Sequence, residues 1–293
     1  EGPEITSPDV VLEAPTGWTR WAYKGLLAVD LTHDGTPDVV FENEDKSVIA
    51  LWPSVLTDGD IEGDAIVHTT SNRYDSDLIG VGDFDGDIGT DLVISTNDRQ
   101  RLELFTGPIA STSDLIEASA IIDTNAGERL GNTLVFCDLN WDGKDEAIVS
   151  TTKVDPEELS TVVAFDVSSS TSDPMLTILS DQGEWFEADC KDVDGDGVSD
   201  LLVQSPGYDA GETIVDAGAV SLLFGPIEGV MEVVDADHTF RGSSSGDLFG
   251  QLTNAGDFDG DGHGELVIGQ IDSGVHLFNS NTWVSSSWEG SLD

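Results

Sequence analysis

The sequence has very few basic residues. Its 293 residues include 11 Lys and Arg against 58 Asp and Glu, which gives a formal net charge of −47. A surface this acidic repels the phosphates of nucleic acids and the headgroups of anionic lipids. We therefore expect no nucleic-acid partner for this chain.

Long apolar runs are absent as well. No stretch approaches the roughly 18 consecutive apolar residues of a membrane helix, and no signal-peptide pattern is present. The first residue is Glu1 rather than Met, so we expect either a processed chain or an expressed segment, from which any export signal or anchor has been removed. Hydrophobic residues make up 38% of the chain and lie in short alternating runs, which indicates a folded protein without membrane insertion.

Cysteine is scarce, with only Cys137 and Cys190. Two cysteines do not make a disulfide framework. Each lies just ahead of an Asp-rich segment, where the corresponding positions elsewhere in the chain carry small or apolar residues. We therefore expect two buried free thiols rather than a bridge.

An Asp-rich pattern of nine residues recurs five times. It reads Asp, x, Asp or Asn, x, Asp, Gly, x, x, Asp or Glu, and an apolar run follows at once. We call the copies loops one to five; they start 53, 55, 54 and 65 residues apart, at Asp30, Asp83, Asp138, Asp192 and Asp257. A nearly constant spacing of this length is typical of a repeat architecture.

Each repeat contains four short apolar runs. One enters the Asp loop, one leaves it, one follows a turn, and a more variable fourth run precedes the next repeat, as in FEADCKD, DLLVQS, AVSLLF and MEVVD of the fourth repeat. Their lengths and their Val, Ile, Leu and Phe content predict strands, and no segment shows a convincing helical stripe. Four strands per repeat predict an all-β fold, a β-propeller of five four-stranded repeats with the Asp loop between the first and second strand of each blade.

The repeats predict one propeller domain over residues 1–293. The apolar run at residues 10–12 could complete the last blade and join the chain ends, although residues 282–288 could fill the same place. A piece of a larger propeller also remains open at this point.

The Asp loops have the composition of calcium sites. Calcium takes six to eight oxygen ligands from carboxylates, backbone carbonyls and water. Side chains at positions one, three and five of a tight loop converge on one point, and a backbone carbonyl at position seven and a carboxylate at position nine complete the shell. The predicted ligands are Asp83, Asp85, Asp87, Gly89 and Asp91 in loop two; Asp138, Asn140, Asp142, Lys144 and Glu146 in loop three; Asp192, Asp194, Asp196, Val198 and Asp200 in loop four; and Asp257, Asp259, Asp261, His263 and Glu265 in loop five.

The loops differ in quality. Loop one offers only Asp30, Asp34 and Asp38, because Thr32 stands at position three, and we expect it to be weak or empty. In loop two, Ile88 replaces the glycine at position six, and we expect the neighbouring Gly89 to offset this change. Loops four and five rank highest as calcium sites. Over the five loops we expect three to five calcium ions in all.

Other metal sites are disfavoured. An EF-hand requires a bidentate Glu at position twelve, but position twelve lies within an apolar strand in these repeats, at Ile94, Val149, Val203 or Ile268. The loops contain no sets of Cys and His ligands, which argues against zinc or copper.

The last two repeats share a fuller set of motifs. Residues 247–278 read DLFGQLTNAGDFDGDGHGELVIGQIDSGVHLF, with a Phe-Gly pair, a metal loop and two strands, and the fourth repeat adds DLLVQSPGYDAG and AGAVSLLFGP. This pattern resembles the FG-GAP repeat of the integrin α-subunit propeller. The resemblance implies a calcium-bearing propeller of the cell surface. Integrin propellers have seven blades rather than five, and the Phe-Gly pair is clear only at Phe249 and Gly250.

Catalytic motifs are weak. Residues 242–246 match G-x-S-x-G, but a strand-like run follows instead of the helix that a nucleophile elbow requires. The five histidines are scattered, and we expect the side chains of His33 and His263 to be exposed to solvent. We therefore expect no enzymatic activity.

The favoured hypothesis is an extracellular or cell-surface adhesion or protein-interaction module, monomeric, with calcium fixing its loops and a partner at one rim of the propeller. The alternatives are a calcium-dependent lectin, with Trp141 stacking on a sugar, and an accessory propeller of a polysaccharide-processing enzyme. Residue types alone leave protein and glycan partners both open.

Overall fold

The fold is all-β. The computed structural model describes residues 12–13, 21–43, 48–52, 59–60, 66–69, 79–96, 100–115, 117–123, 128–153, 161–169, 171–180, 187–271 and 274–279. Over these ranges helix is limited to short 3-10 turns at Thr112–Leu115, Val167–Ser169 and Val233–Asp235. No helix in the described part is long and apolar enough to cross a membrane. The predicted all-β class is confirmed.

The first two repeats supply ten strands. These are β1 (Leu12–Glu13), β2 (Trp21–Val29), β3 (Asp38–Asn43), β4 (Val48–Trp52), β5 (Gly59–Asp60), β6 (Ile66–Thr69), β7 (Ile79–Gly82), β8 (Asp91–Thr96), β9 (Arg101–Phe105) and β10 (Ala120–Asp123). Sheet one has the order β2-β3-β4-β6 and sheet two the order β7-β8-β9-β10, while β1 and β5 form a parallel pair.

The remaining repeats supply twelve strands among the described residues. These are β11 (Glu128–Cys137), β12 (Glu146–Lys153), β13 (Thr161–Phe165), β14 (Leu176–Leu179), β15 (Glu187–Lys191), β16 (Asp200–Ser205), β17 (Ala219–Leu223), β18 (Gly229–Glu232), β19 (His238–Arg241), β20 (Thr253–Gly256), β21 (Glu265–Gln270) and β22 (Gly274–Phe278). Sheet three has the order β11-β12-β13-β14-β18, sheet four β15-β16-β17-β19, and sheet five β20-β21-β22.

The Asp loops lie where the pattern predicted, between the first and second strand of each sheet. The first and second strands pair antiparallel in all five sheets, for example Lys191 with Asp200 across loop four and Gly256 with Glu265 across loop five. Short runs of Val, Ile, Leu and Phe, bounded by Asp, Gly, Ser and Pro, were sufficient to locate these strands.

The fourth strand of the fourth repeat was predicted wrongly. The run MEVVD was expected to form it, but β18 instead pairs in parallel with β14 of sheet three, aligning Gly229 with Leu176. The fourth strand of sheet four is β19, which pairs with β17. The extra length of this repeat thus covers the edge of the preceding sheet, and Val233 is buried in the core beside it. An apolar run does not show which sheet edge it joins.

The joining of the chain ends stays a prediction. Leu12 and Glu13 pair with Gly59 and Asp60 rather than with a strand of sheet five. Residues 10, 11 and 282–288 lie outside the described residues.

Two compact units contain the sheets. One comprises residues 1–83 with 87–121, and the other residues 84–86 with 122–293. The core of the first unit includes Leu31, Val40, Leu92, Ile94 and Phe105. The prediction of one domain over the whole chain stays a prediction.

In the second unit, sheet four is buried on both faces. Leu201 and Val203 of β16 pack in a cluster with Ile148 of sheet three, whereas Leu202, between them, packs with Leu266 of sheet five. Successive side chains of a strand point to opposite faces, so one continuous apolar run serves two interfaces. Each fully buried Leu or Val contributes about 1.5–3 kcal/mol relative to an exposed one.

Sheet five exposes the face that its neighbours bury. Cross-strand pairs at the same repeat position are Ile148 with Ala164 and Leu202 with Leu222, and all four side chains are 0% exposed. The corresponding pair in sheet five contains Leu277, which is 62% exposed. Sheet three thus packs on sheet four and sheet four on sheet five, but no further sheet among the described residues covers this face of sheet five.

The two cysteines form a disulfide, so the expectation of free thiols was wrong. Cys137 ends β11 and Cys190 lies near the end of β15, and their Cα atoms are 6.5 Å apart. This separation is within the usual range for a bridge. The first strands of consecutive repeats become neighbours only when the sheets stack, which the spacing of two cysteines in the sequence does not reveal.

We predict that replacing both cysteines with serine lowers the free energy of unfolding by about 2–5 kcal/mol, because the bridge closes a long loop in the unfolded chain. The bridge spans 53 residues. Denaturant unfolding with and without a reductant measures the effect, and the double-serine variant should be insensitive to reductant. Two titratable thiols in the unreduced native protein would contradict the bridge.

Candidate metal centres

Each Asp loop is closed by its first carboxylate. In all five loops the Oδ2 atom at position one accepts a hydrogen bond from the backbone N–H at position six, at 2.8–3.0 Å. The acceptors are Asp30, Asp83, Asp138, Asp192 and Asp257, and the donors are Gly35, Ile88, Gly143, Gly197 and Gly262. Degenerate loop one keeps this bond, so its backbone geometry does not depend on a complete ligand set.

The carboxylate at position five holds the second half of the loop. Its Oδ1 atom accepts the backbone N–H at position seven in every loop, at 2.6–3.0 Å. The acceptors are Asp34, Asp87, Asp142, Asp196 and Asp261. Local side-chain to backbone bonds of this kind are why Asp dominates tight turns.

The carboxylate at position nine is buried in all five loops. Asp38, Asp91, Glu146, Asp200 and Glu265 are 0–2% exposed. In loops one, three, four and five one of its oxygens accepts the backbone N–H at position two, at 2.7–2.9 Å. A buried carboxylate of this kind is stable only when hydrogen bonds or a cation compensate for its lost hydration.

The second oxygen of this carboxylate is satisfied differently from loop to loop. Asp91 and Asp200 each accept the N–H of a glycine after the third strand, from Gly107 at 2.8 Å and Gly225 at 3.0 Å. Each of these glycines precedes a cis proline. The third and fifth repeats have the longer Glu at position nine and lack this Gly-Pro pair.

Loop five leaves its second oxygen without a hydrogen bond. The Oε1 atom of Glu265 is buried and has no hydrogen-bond partner among the described residues. Carboxylate oxygens of Asp257, Asp259 and Glu265 lie within 4.8 Å of one another. A buried, unpartnered charged oxygen costs more than the about 1–3 kcal/mol of a neutral group. This donor set consists of hard oxygens alone, so the residues present fit calcium.

Loop four brings three carboxylates together in the same way. Oxygens of Asp192, Asp194 and Asp196 lie within 4.8 Å of one another. Burial raises the pKa of Asp194, and the nearby Asp196 and Asp192 raise it further. Burial also raises the pKa of Asp200 to about 6. A divalent cation would oppose these shifts, because it stabilises the charged form of every carboxylate around it.

Loop two contains a third group, in which oxygens of Asp83, Asp85 and Asp91 lie within 4.8 Å of one another. The expectation that Gly89 offsets Ile88 was wrong. Ile88 itself adopts the left-handed conformation, with φ +73°. The glycines at position six of the other loops adopt the same conformation, with φ of +87° to +93°. The reason is the bond to position one, which requires this conformation at position six itself.

Loop three places an amide where loops four and five have a carboxylate. The Nδ2 atom of Asn140 lies 3.3 Å from Oε1 of Glu146 and donates to it. The pKa of Glu146 is raised to about 8, chiefly by burial and further by Asp142 and Asp138.

Loop one satisfies its buried carboxylate from within. The backbone N–H groups of Leu31 and Thr32 each donate to Oδ2 of Asp38 at 2.9 Å, and the Thr32 hydroxyl donates to Oδ1 at 3.4 Å. The hydroxyl of Thr32 therefore hydrogen-bonds to Oδ1 of Asp38. The equivalent oxygen in loop five, Oε1 of Glu265, has no hydrogen-bond partner among the described residues. The ligand assignments in all five loops stay predictions.

Two histidines of the loops have roles that sequence reasoning missed. His263 was expected to be exposed, but it is half-buried and its Nδ1 donates to the backbone carbonyl of Asp194. His33 is exposed, and its Nε2 accepts the backbone N–H of Thr90 at 2.9 Å. His33 of loop one thus contacts loop two, and His263 of loop five contacts loop four. Only the stacking of repeats brings these loops together.

Comparison with known proteins supports the resemblance seen in the repeats. Residues 190–223, which include loop four, match the family model of the FG-GAP repeat. The chain is 27% identical over 238 residues to integrin alpha pat-2 of Caenorhabditis briggsae, covering 70% of this chain and 19% of that protein. It is 39% identical over 95 residues to integrin alpha-PS2 of Drosophila melanogaster, covering 30% of this chain and 7% of that protein. The resemblance to FG-GAP repeats and integrin α chains is confirmed.

The shared region is short relative to these proteins. The chain spans about a fifth of the length of the pat-2 protein that it matches, at 19%. Among solved structures, a rhamnogalacturonan lyase named YesW aligns with a TM-score of 0.46 and 14% identity, over 84% of this chain and 57% of that one. A similarity this low supports no argument about fold or activity.

We predict that Gly195→Ala destabilises the protein more than Gly260→Ala. Both glycines stand at position four of their loops with φ +80°, so both variants incur the about 1–2 kcal/mol of a left-handed non-glycine residue. A methyl group at Gly195 would also collide with the carbonyl oxygen of Gly262, whereas Gly260 has nothing within 4 Å. Denaturant unfolding at one fixed calcium concentration should show an additional loss of about 1–3 kcal/mol for Gly195→Ala. Equal losses would show that loops four and five do not touch in solution.

Proposed function

We propose that this chain is a calcium-binding β-propeller module, one blade from each of its five repeats, that acts in adhesion or protein interaction outside the cell. Calcium holds the Asp loops in the conformation that a partner recognises. The observation that carries this proposal is the buried Oε1 atom of Glu265, which has no hydrogen-bond partner among the described residues, in a carboxylate that has an oxygen within 4.8 Å of oxygens of Asp257 and Asp259.

Calcium is the cation that suits these donors. The three carboxylate clusters, in loops two, four and five, contain no sulfur or imidazole ligand. The backbone carbonyl at position seven is a further oxygen donor in each loop. Calcium accepts such all-oxygen sets in flexible geometry, while magnesium demands a stricter octahedron. The three carboxylate clusters in loops two, four and five correspond to three ions, and occupancy of loops three and one as well would bring the number to five.

Two features support an extracellular location. The disulfide between Cys137 and Cys190 persists in an oxidising compartment. Calcium loops of moderate affinity fill at the millimolar calcium found outside cells, and their high acidity is screened by salt there.

The proposed role is non-enzymatic binding. The similarity to integrin α chains, together with a net charge of −47, favours a protein partner with basic groups, engaged at the rim of a monomeric propeller. In the G-x-S-x-G segment, the backbone N–H groups of Ser243 and Ser244 donate to Asp247. These bonds make the segment a turn, and no helix follows it within the described residues.

We predict that calcium raises the unfolding temperature, because it binds the folded loops and not the unfolded chain. The variant Glu265→Gln should bind one ion fewer than the parent. It should be destabilising in calcium yet neutral or stabilising in a chelator, because the amide removes a buried, unpartnered charge. Thermal unfolding in calcium and in chelator, with a metal count on the native protein, measures both effects.

Glu228→Gln serves as the matched control, because Glu228 is exposed and lies outside the Asp loops. It should change neither the metal count nor the response to calcium. An unfolding temperature that is the same with calcium and with chelator, and no bound metal, would reduce the loops to acidic turns.

A glycan partner is the second candidate, and Trp141 favours it. Its side chain is 69% exposed, and its backbone has φ +61° at position four, where loops two, four and five have glycine. A bulky residue in this conformation costs about 1–2 kcal/mol. An exposed aromatic ring held at that cost offers a flat face on which a sugar ring can pack.

We predict that Trp141→Gly leaves the calcium content unchanged and leaves the free energy of unfolding equal or up to about 1 kcal/mol higher, because glycine adopts this conformation freely. Binding on a glycan array should be lost if the lectin alternative is right. Binding that is absent from both proteins, or equal in both, would rule out a glycan site at Trp141.

A further inference from the structure

The side chain of His263 connects two Asp loops. It belongs to loop five at position seven, and its Nδ1 donates to the backbone carbonyl of Asp194 at position three of loop four. Its backbone N–H donates to Oδ1 of Asp261 at 2.9 Å, so its own position is set by a carboxylate of loop five. His263 therefore forms hydrogen bonds with residues of both loops.

The backbones of the two loops also pack together. The N–H of Gly264 donates to the carbonyl of Val193 at 2.9 Å, on one side of the histidine contact. On the other side, a methyl group added to Gly195 would meet the carbonyl of Gly262 and the ring of His263. Positions two to four of loop four thus lie directly against positions six to eight of loop five.

The residues at this contact are also those predicted to hold the cations. The carboxylate of Asp194 lies in the cluster of loop four, and its Oδ1 accepts the N–H of Asp196 at 3.0 Å. In loop five, the carbonyl of His263 is the expected ligand at position seven. A cation that fixes the backbone of His263 would fix its ring, and the ring would hold Asp194 in place for the other cation.

We infer that loops four and five bind calcium cooperatively and that His263 is the positioning residue that couples them. This inference rests on the proposed function, because it concerns the same calcium sites. Ordering one loop reduces the entropy that must be lost when the other binds, and such coupling is reciprocal. Coupling between binding sites is typically about fivefold or more in affinity.

Electrostatics acts in the opposite direction. A first cation reduces the negative charge near the second loop, which weakens the second binding step, but salt screens charges in exposed loops over about 8 Å at physiological ionic strength. The hydrogen bond of His263 is not screened in this way. Cooperativity should therefore persist, and increase, as the salt concentration is raised.

The experiment is a calcium titration followed by amide NMR. Signals of Gly195 and Gly197 report on loop four, and those of Gly260 and Gly262 report on loop five. Disabling loop five by Glu265→Gln should lower the calcium affinity of loop four about fivefold. In a His263→Ala background the same substitution should leave the affinity of loop four unchanged.

Two further variants make the test specific. His263→Asn keeps a donor near the position of Nδ1 and should restore the coupling. His33→Ala removes the histidine that contacts Thr90 of loop two, and it should leave the coupling of loops four and five unchanged.

The outcomes separate this inference from the proposed function. Calcium-dependent signals in both loops without coupling in the parent protein, or with coupling retained in His263→Ala, would overturn the inference and leave the calcium sites standing. No calcium-dependent change in either loop would overturn the proposed function itself.

Discussion

The buried carboxylate at position nine is the group on which each repeat depends. It stands at the first residue of the second strand, and in four loops it holds the backbone N–H of position two, so the loop and the strand are fixed to each other. Its burial is also what makes a cation or a further donor necessary. The second oxygen of this carboxylate accepts a glycine N–H, a threonine hydroxyl or an asparagine amide in the other repeats, whereas Oε1 of Glu265 has no hydrogen-bond partner in the part of the chain that the structure describes.

Stacking of sheets gives the repeat its second constraint. Sheet four shares one apolar cluster with sheet three and another with sheet five, because Leu201 and Leu202 of one strand point to opposite faces. The same stacking brings the first strands and the Asp loops of consecutive repeats together. Cys137 meets Cys190, and His263 of loop five meets Asp194 of loop four, although each pair is separated by more than 50 residues in the chain. The first strands and the Asp loops of neighbouring repeats are therefore physically linked.

Left-handed backbone positions distinguish the individual loops. Position four has positive φ throughout, with glycine in loops two, four and five, His33 in loop one and Trp141 in loop three. The ring of His33 is packed beside Gly89 and Gly107, which compensates for its conformation within the protein. Trp141 is largely exposed, and a binding role is the explanation that we propose for it.

The sequence by itself determined the all-β class, the positions of the Asp loops and the strands on either side of them. These features are local: short runs of β-branched and aliphatic residues bounded by turn residues form strands, and the Asp and Gly spacing specifies a tight turn wherever it occurs. The candidate site was predictable to the same extent, since the grouped carboxylates of loops two, four and five are all at predicted ligand positions. Tertiary structure alone decided that β18 joins sheet three, that Cys137 and Cys190 form a bridge, and that His263 reaches loop four. Most of these outcomes depend on which segments of separate repeats lie side by side, and that proximity arises only when the sheets pack and bury their apolar faces.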